Sequence, residues 1–164
     1  MKLPIQTNDG EFIAYYSKSG LARLDFPKTQ KKAARATPLE PAVPKPVAQW
    51  HKMTARALSD ALAGVTPKEM PPLDTTTGTE FQQQVWAALR RISTGSTASY
   101  AEIAAKIGQP KAARAVGGAC GANPIPVLVP CHRVLAANQR IGGFSGGLEW
   151  KRTLLAREAA RSCF

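Results

Sequence analysis

The strongest candidate for chemistry in this 164-residue sequence is a cysteine followed directly by a histidine and an arginine, Cys131-His132-Arg133. A thiolate is a strong nucleophile, but a free cysteine has a pKa of about 8.5 and needs a neighbouring base or cation to react at neutral pH. His132 can act as that base, and Arg133 adds positive potential. Because adjacent side chains of an extended chain point to opposite faces, His132 would reach the sulfur only across a turn or through a water molecule. A buried cysteine beside a solvated His-Arg pair is the other interpretation, and the tripeptide alone leaves both open.

The remaining cysteines and histidines form neither a disulfide pattern nor a metal pattern. The chain has three cysteines, Cys120, Cys131 and Cys163, without paired spacing. No CxxC or HxxxH spacing is present, and His51 and His132 lie far apart. We therefore expect no disulfide framework, no metal and no cofactor. The roles of Cys120 and Cys163 stay open, with structural filling as the preferred interpretation.

The charge balance indicates a class of partner. Lys and Arg number 22 against 11 Asp and Glu, which gives a net charge of +11 and a pI near 10.0. Such an excess favours nucleic acid or an acidic membrane, although a basic protein without either partner is also possible. There is no apolar run of membrane-spanning length, and the first ten residues hold no signal-peptide core. We expect a soluble protein that is cytoplasmic, nucleoid-associated in a prokaryote and nuclear in a eukaryote.

The first part of the chain predicts a small β-rich module. Residues 11–16 and 21–26 have strand-like patterns and are joined by a turn at 17–20, which predicts a hairpin. A basic, Pro-rich connection over 27–46 is expected to be an exposed loop. A helix follows over 50–63 and ends at Gly64. The segment 66–78, with three prolines and three consecutive threonines, is the best candidate linker.

The second part predicts helices. Apolar residues recur at helical spacing behind a Thr79-x-x-Gln82 capping box, namely Phe81, Val85, Trp86, Leu89 and Ile92. Another helix starts at Ser99, with Glu102 three residues on, and stops at Gly108. Pro110 is expected as the first residue of a further helix that runs to about Ala119. These two short helices predict a helix-turn-helix, with an ordinary helical hairpin as the alternative.

The last of these helices has an unusual composition. Base readout needs Arg, Asn, Gln or Glu side chains, whereas this helix offers Arg114 among alanines and glycines. Small residues let a backbone approach a narrow groove while one long cation enters the duplex. The same small residues also suit packing against another helix. The composition alone does not separate these interpretations.

A resemblance to a known family links these features. The run Pro130-Cys131-His132-Arg133-Val134, shortly after Asn123-Pro124, closely resembles the acceptor-site signature of the methylated-DNA–protein-cysteine methyltransferases, also called O6-alkylguanine-DNA alkyltransferases. Similar segments follow the family order at 99–104, 111–119, 142–148 and 151–158. The resemblance covers most of residues 79–160, whereas the first part is similar only in having a hairpin followed by a helix.

The resemblance implies an α+β fold. In such proteins a small N-terminal antiparallel β-sheet module with a helix precedes a mostly helical C-terminal domain that contains a DNA-binding helix-turn-helix. Applied to this chain, residues 1–73 form an N-terminal α/β module (ribonuclease H-like). Residues 74–164 form the C-terminal alkyltransferase and DNA-binding domain.

The resemblance also implies a function in DNA repair. Members flip O6-alkylguanine, mainly O6-methylguanine, out of duplex DNA, because a stacked base cannot meet a nucleophile. They transfer the alkyl group irreversibly to their own cysteine, so each molecule acts once as a methyltransferase. The implied partner is double-stranded DNA that contains alkylated guanine, bound by a monomer and away from any membrane.

Catalytic roles follow residue by residue from the resemblance. Cys131 is the nucleophile and alkyl acceptor, His132 takes the thiol proton through a water, and Glu158 orients the imidazole, as in a Ser-His-Asp triad. Tyr100 donates a hydrogen bond to the purine that leaves as an anion. Asn123 braces the turn between the recognition helix and the active-site strand.

Binding roles follow in the same way. Arg114 fills the space that the flipped base leaves, and Tyr100 lies where the target phosphate is rotated. The implied DNA-binding residues are Arg114, Tyr100, Ala112, Ala113, Ala115 and Gly117. The segment 141–147 forms the pocket wall, and the backbone of Val134 and Ser145 reads the guanine. The implied pocket residues are Val134, Phe144, Ser145 and Gly146.

The chain departs from the family pattern at several points, and alternatives remain. Phe144 stands where many members carry Tyr, which leaves the range of accepted alkyl groups open. Some relatives bind zinc through Cys and His near the amino end, but this chain has no cysteine before Cys120, so we expect that site to be absent. The presence of Cys131 argues against the branch that only binds lesions. The main alternative is a non-catalytic lesion sensor, while a thiol hydrolase using Cys131 and His132 would leave Arg114 without a role.

Overall fold

The computed structural model describes residues 1–28 and 42–162 and has an α+β architecture, as the sequence predicts. The strands are β1 (Lys2–Thr7), β2 (Gly10–Tyr16), β3 (Leu21–Asp25), β4 (Ala98–Ser99) and β5 (Val134–Leu135). The helices are α1 (Lys45–Leu62), α2 (Glu80–Leu89), α3 (Tyr100–Lys106), α4 (Ala113–Gly121) and α5 (Leu148–Ser162). Two 3-10 turns cover Cys131–Arg133 and Ala137–Gln139. No helix in these described ranges is both long and apolar enough to cross a membrane.

The N-terminal sheet has three antiparallel strands in the order β1-β2-β3. The predicted hairpin is confirmed as β2 and β3, but the sequence prediction missed β1. This strand buries Leu3 and Ile5 against the core and pairs with β2 from Lys2 to Thr7. Pro4 has no N–H to give to a sheet ladder, and it is tolerated because β1 is an edge strand.

Helix α1 begins at Lys45, five residues before the predicted start at residue 50. The last two residues of the predicted loop over 27–46 therefore belong to this helix. Pro46 lies in the first helical turn, where a missing N–H costs no hydrogen bond. The helix ends at Leu62, ahead of Gly64 with a φ of +74°, close to the predicted end. Residues 29–41 of the basic connection, and Cys163, lie outside the described residues.

The predicted linker over 66–78 contains no helix or multi-residue strand, but hydrogen bonds fasten it to the sheet. The Leu21 amide donates to the Pro72 carbonyl at 2.8 Å, and the Asp74 amide donates to the Leu21 carbonyl at 2.8 Å. The segment therefore lies along β3 before it enters the helical part of the molecule.

Both predicted capping boxes are confirmed. The Thr79 hydroxyl accepts from the Gln82 amide at 3.2 Å, and the Gln82 side chain accepts from the Thr79 amide at 3.0 Å. Ser99 and Glu102 form the same pair ahead of α3. Such boxes satisfy amides that a helix start leaves unpaired, so local sequence is enough to set these boundaries.

The predicted start of the next helix is wrong. Pro110 lies in the connecting turn, where the Ala112 amide donates to the Gln109 carbonyl at 2.9 Å. Helix α4 begins only at Ala113, with Ala112 as its N-cap. Likewise α2 ends at Leu89, so Ile92 contributes to the core from the following turn.

The helices α2, α3 and α4 pack together and enclose the segment that carries Cys131. The Trp86 indole of α2 donates to the Ala119 carbonyl of α4 at 2.8 Å, inside the core. Residues 125–134 are all buried. The Leu24 amide of β3 donates to the Pro124 carbonyl at 2.9 Å, which joins the sheet to the start of this buried segment.

Candidate active site

Cys131 is the first residue of a 3-10 turn. The expectation that it lies in an active-site strand is therefore wrong, since the strand β5 begins only at Val134. Its amide donates to the Val129 carbonyl at 2.8 Å, and the residue is only 3 % exposed. Successive side chains of a 3-10 turn point about 120° apart, because the turn has about 3 residues. The thiol and the His132 ring therefore leave the backbone in different directions.

Asn123 holds the sulfur in place. Its side-chain Nδ2 donates to the Val129 carbonyl at 2.8 Å and to the Cys131 Sγ at 3.1 Å. Its Oδ1 accepts from the Ile125 amide at 3.0 Å. The buried amide therefore ties the turn after α4 to the Cys131 segment.

Glu158 of α5 lies at the centre of a buried ionic cluster. Its Oε1 lies 2.7 Å from His132 Nε2. Arg133 Nε donates to Glu158 Oε1 at 3.2 Å and to Oε2 at 3.0 Å, and Arg133 Nη2 donates to Oε1 at 2.9 Å. Arg133 also donates to the Ile92 carbonyl at 2.6 Å and to the Thr94 hydroxyl at 3.0 Å. A solvated His-Arg pair is therefore excluded, since both side chains are buried. The sequence also missed that Arg133 directs its charge to Glu158.

The protonation of this cluster follows from its geometry. Burial raises the pKa of Glu158. The hydrogen bonds from His132 and Arg133 and the positive charges of these residues outweigh burial and lower the pKa to about 2. Burial lowers the pKa of His132 below its usual 6.5, which favours the neutral ring, although Glu158 opposes this change. Because Glu158 is ionised, we assign the proton to His132 Nε2. His132 Nδ1 then carries the lone pair, is buried and has no hydrogen-bond partner among the described residues.

The Cys131 thiol is protonated in the resting state. Burial raises its pKa, while the hydrogen bond from Asn123 and the charge of Lys151 oppose that rise. Lys151 is fully buried, and its Nζ donates to the Val134 carbonyl at 2.7 Å and to the Gly143 carbonyl at 3.2 Å. Sequence reasoning gave Lys151 no role. The available signal was its helical spacing with Leu154 and Glu158, which places it on the buried face of α5.

A cavity of about 310 Å³ adjoins the sulfur. It is lined by Tyr100, Gly117, Cys120, Gly121, Cys131, Gly143, Phe144 and Ser145. Four of the predicted site residues thus meet Cys131 here, namely Tyr100, Gly117, Phe144 and Ser145. Cys120 also contributes to the lining, and burial raises the pKa of its thiol to about 12.

The other two predicted pocket residues do not line this cavity. Val134 is buried in β5, where it pairs with Ala98 and its carbonyl accepts from Lys151. Gly146 lies against the Phe26 ring on the outer side of the same loop. Both residues support the cavity wall from behind.

Tyr100, the first residue of α3, is half-buried at the edge of the cavity. A Cβ atom on Gly142, whose φ is +62°, would lie 2.9 Å from its hydroxyl, so the loop passes close to the ring. Burial is the main cause that raises the pKa of Tyr100, and the charges of the nearby Cys120 and Cys131 raise it further. The phenol therefore stays protonated at neutral pH and can act as a hydrogen-bond donor.

Helix α4 has one buried face and one open face. Val116, Ala119 and Cys120 are buried, whereas Arg114 and Ala115 are exposed. The predicted DNA-binding residues that are half-buried are Ala112, Ala113 and Gly117. The small residues therefore serve helix packing on one side and leave an open, basic surface on the other.

The described residues, 1–28 and 42–162, contain no group of three or more His, Cys, Asp or Glu side chains placed to hold a metal ion. At the site, His132 and Arg133 contact Glu158, whereas Lys151 donates to the backbone carbonyls of Val134 and Gly143. The fold and the site define an α+β protein in which the buried Cys131 has a His-Glu pair and a cavity beside it.

The comparisons with known proteins agree with this definition. The family model for the DNA-binding domain of 6-O-methylguanine DNA methyltransferase matches residues 80–160. The methylated-DNA–protein-cysteine methyltransferase of Haemophilus influenzae is 54% identical over 81 residues, which is 49% of this chain and 45% of that protein. The one from Mycolicibacterium paratuberculosis is 56% identical over 85 residues, 52% of each chain. The matched segment thus spans about half the length of these curated relatives.

The structural match extends over nearly the whole fold. Mycobacterium tuberculosis OGT, solved in complex with DNA, is 39% identical, with a TM-score of 0.77, over 96% of this chain and 92% of that chain. An O6-methylguanine DNA methyltransferase from Methanococcus jannaschii is 28% identical, with a TM-score of 0.66, over 96% of this chain and 93% of that chain. The chain belongs to the methylated-DNA–protein-cysteine methyltransferase family.

Proposed function

We propose that this protein repairs alkylated guanine in duplex DNA by transferring the alkyl group irreversibly to Cys131. The substrate is O6-alkylguanine, mainly O6-methylguanine, which is flipped out of the helix into the 310 Å³ cavity. The observation that carries the proposal is the buried thiol at this cavity with the His132–Glu158 pair beside it. The M. tuberculosis relative solved with DNA supports DNA as the partner.

The transfer step needs no cofactor. The Cys131 thiol gives its proton to His132 Nδ1 through a bridging water, and the sulfur attacks the alkyl carbon of the lesion. The carbon–O6 bond breaks, its electron pair stays on the guanine, and the proton returns to the purine. Tyr100, protonated because its pKa is raised, donates a hydrogen bond that stabilises the leaving purine anion. The product is a neutral thioether on Cys131, so each molecule acts once.

Glu158 and Arg133 support the proton transfer. When His132 becomes positively charged in a buried site, the adjacent Glu158 carboxylate stabilises that charge. Arg133 donates to both carboxylate oxygens and the Gly95 amide donates to Oε2 at 3.3 Å, which keeps Glu158 ionised and fixed. The two residues therefore act on the base, while Asn123 acts on the sulfur itself.

The DNA-binding surface is assigned to α3 and α4 as a helix-turn-helix. The exposed face of α4 has small residues that permit close backbone approach, and Arg114 projects from it to fill the vacated stack. Tyr100 lies at the edge of the cavity, where a flipped nucleotide would enter. The net charge of +11 supplies attraction that does not depend on sequence.

The module boundaries are assigned as residues 1–73 and 74–164. The join falls at Leu73 and Asp74, where the chain leaves its hydrogen bonds with Leu21 of β3. The first module supplies the sheet and α1. The second supplies the thiol, the ionic cluster and the DNA-binding helices.

A comparison of Cys131→Ala with the unaltered chain tests the transfer step. The substrate is duplex DNA with one O6-methylguanine. We expect Cys131→Ala to lose repair completely and to retain DNA affinity within about threefold, because the thiol and the DNA-contacting face are separate. Cys163→Ala, which lies beyond the family match, is the matched control. Repair that survives in Cys131→Ala would contradict the proposal, and binding without repair in the unaltered chain would favour a lesion sensor.

A further inference from the structure

The loop from Gly143 to Gly147 forms one wall of the Cys131 cavity and is supported from outside by the N-terminal module. Gly143, Phe144 and Ser145 face the cavity. Behind them lies Phe26, which directly follows β3. The Phe26 and Phe144 rings meet edge to face, with centroids 5.7 Å apart and an angle of 72° between the planes.

Gly146 lies flat against the same ring. A methyl group added at Gly146 would come within 2.8 Å of three carbons of the Phe26 ring, closer than packed carbon atoms approach. The backbone of Gly146 is not in the left-handed region, so the ring, and not the conformation, opposes a side chain here. Phe26 therefore limits how far the loop can move outward and what can replace Gly146.

Phe26 is itself held by the core. Its ring centroid lies 5.5 Å from that of Phe12 in β2 and 5.0 Å from that of Trp150 in α5. Phe12 is completely buried. The position of Phe26 is thus set by the sheet and by α5, not by the loop that it supports.

The opposite face of the loop contacts the catalytic groups. The Phe144 ring meets the His132 ring edge to face, with centroids 6.3 Å apart. Lys151 holds the start of the loop through the Gly143 carbonyl. A continuous line of contacts therefore runs from the sheet through Phe26 and Phe144 to the base beside Cys131.

We propose that Phe26 is a positioning residue that sets the size of the acceptor cavity from the N-terminal module, and so helps decide which alkyl groups are accepted. The inference rests on the proposed function of the Cys131 cavity. A shorter side chain at position 26 lets the wall move outward. The cavity then admits larger groups more readily and holds a methyl group less well in line with the sulfur.

A double-mutant cycle between Phe26→Leu and Gly146→Ala tests the contact. The rate of transfer from duplex O6-methylguanine is measured in single turnover. Gly146→Ala is expected to slow transfer about 10- to 100-fold, because it pushes the loop off the ring. In the Phe26→Leu background the same change is expected to cost less than about threefold, because the ring no longer opposes it.

Gly143→Ala is the matched control in the same loop, since an added Cβ there meets nothing within 4 Å. Its effect is expected to be the same with and without Phe26→Leu. Phe81→Leu, a similar truncation at a partly buried site in α2, controls for general loosening of the core.

The decisive readout is selectivity. Phe26→Leu alone is expected to raise the ratio of the O6-benzylguanine rate to the O6-methylguanine rate at least about fivefold, whereas Phe81→Leu leaves the ratio unchanged. This ratio decides the matter even if Gly146→Ala does not fold. If the unaltered chain transfers methyl but Phe26→Leu leaves the ratio unchanged, the inference is overturned while the proposed function stands. If the unaltered chain transfers nothing, the proposed function fails.

Discussion

At the scale of single residues, burial and hydrogen bonds have opposite effects on the pKa values of the site residues. Burial favours the neutral forms of Cys131, His132 and Glu158, but only Glu158 receives enough donors to remain charged, with a pKa of about 2. The result is a protonated thiol beside a neutral imidazole whose other nitrogen is held by a carboxylate. A nucleophile can thus be kept uncharged until a substrate is in place.

This arrangement predicts the pH dependence of transfer. The base works only while His132 is neutral, so the rate should fall in acid as the imidazole becomes protonated. Because burial lowers the pKa of His132, the midpoint of that fall is expected below pH 6.5. Glu158 stays ionised throughout, since its pKa is about 2. Single-turnover rates from pH 5 to 9 at saturating DNA measure this acid limb of the pH profile, the fall of the rate at low pH.

His132→Gln is the control for the assignment. The variant is expected to react slowly and to lose the acid limb, because the titrating base is gone. A midpoint above pH 6.5 in the unaltered chain, or an acid limb that persists in His132→Gln, would contradict the role given to His132.

The sequence placed the candidate site residues near one another better than it identified their distant partners. Cys131, His132 and Asn123 lie within one short stretch, so family resemblance places them together. The contact of Arg133 with Glu158 spans 25 residues of sequence, and that of Lys151 with Val134 spans 17. The helical spacing of Lys151, Leu154 and Glu158 places them on one face of α5, but the residues that this face contacts depend on how α5 docks. Arg133 was therefore expected only to add positive potential, and Lys151 was given no role.

At the scale of elements, helix boundaries were predictable where a side chain defines them. Thr79 and Ser99 cap their helices through their own hydroxyls. Helix α4 has no side-chain cap, and its start is set by the turn around Pro110, so the sequence placed it too early. Strand β1 was missed although Leu3 and Ile5 alternate with exposed residues, because Pro4 within the run argues against a strand unless it lies at a sheet edge.

Helix α4 carries the prediction at this scale. Arg114→Ala is expected to slow repair of duplex O6-methylguanine about tenfold, equivalent to about 1.4 kcal/mol of the cost of unstacking a nucleotide. Reaction with the free base O6-methylguanine should change less than about twofold, because no stack has to be filled. Rates on the two substrates are compared in parallel.

Arg56→Ala, which removes an exposed arginine from α1, is the matched control for the loss of one positive charge. It is expected to slow duplex repair less than Arg114→Ala does. Equal losses on duplex and free base in Arg114→Ala would argue against insertion into the stack.

At the scale of the whole molecule, an ion pair across 148 residues of sequence joins the turn between β1 and β2 to helix α5. Arg157 donates to both carboxylate oxygens of Asp9 at 2.7 and 2.8 Å and to the Leu62 carbonyl at 2.9 Å. A Cβ on Gly64 would meet the Arg157 carbonyl, so α1 ends directly against α5. Glu158 is the next residue, so the contacts of Arg157 with Asp9 and Leu62 fix the part of α5 that carries this carboxylate.

Asp9→Asn tests this junction through stability. The hydrogen bond and charge of Arg157 lower the pKa of Asp9 below 3.8, so its contribution is present above that value and is lost as pH falls through the lowered pKa. We expect the variant to lose about 0.5–1 kcal/mol of unfolding free energy at pH 7, as for a partly exposed pair. The loss should shrink toward pH 3, as measured by urea unfolding.

The control is Asp25→Asn, which removes a pair confined to one strand, between Asp25 and the more exposed Arg23. It is expected to cost less at pH 7. An equal loss for Asp9→Asn at both pH values would show that the ion pair does not hold the junction.

The central claim is that Cys131 itself takes the alkyl group, and mass spectrometry tests it most directly. The chain is incubated with duplex DNA that carries one O6-methylguanine, and the masses of the intact protein and of its peptides are measured. We predict the added mass of one methyl group, located on the Cys131 peptide, together with restored guanine in the DNA. Tight binding to the lesion without any change in protein mass would contradict the claim and leave a protein that recognises the damage but does not repair it.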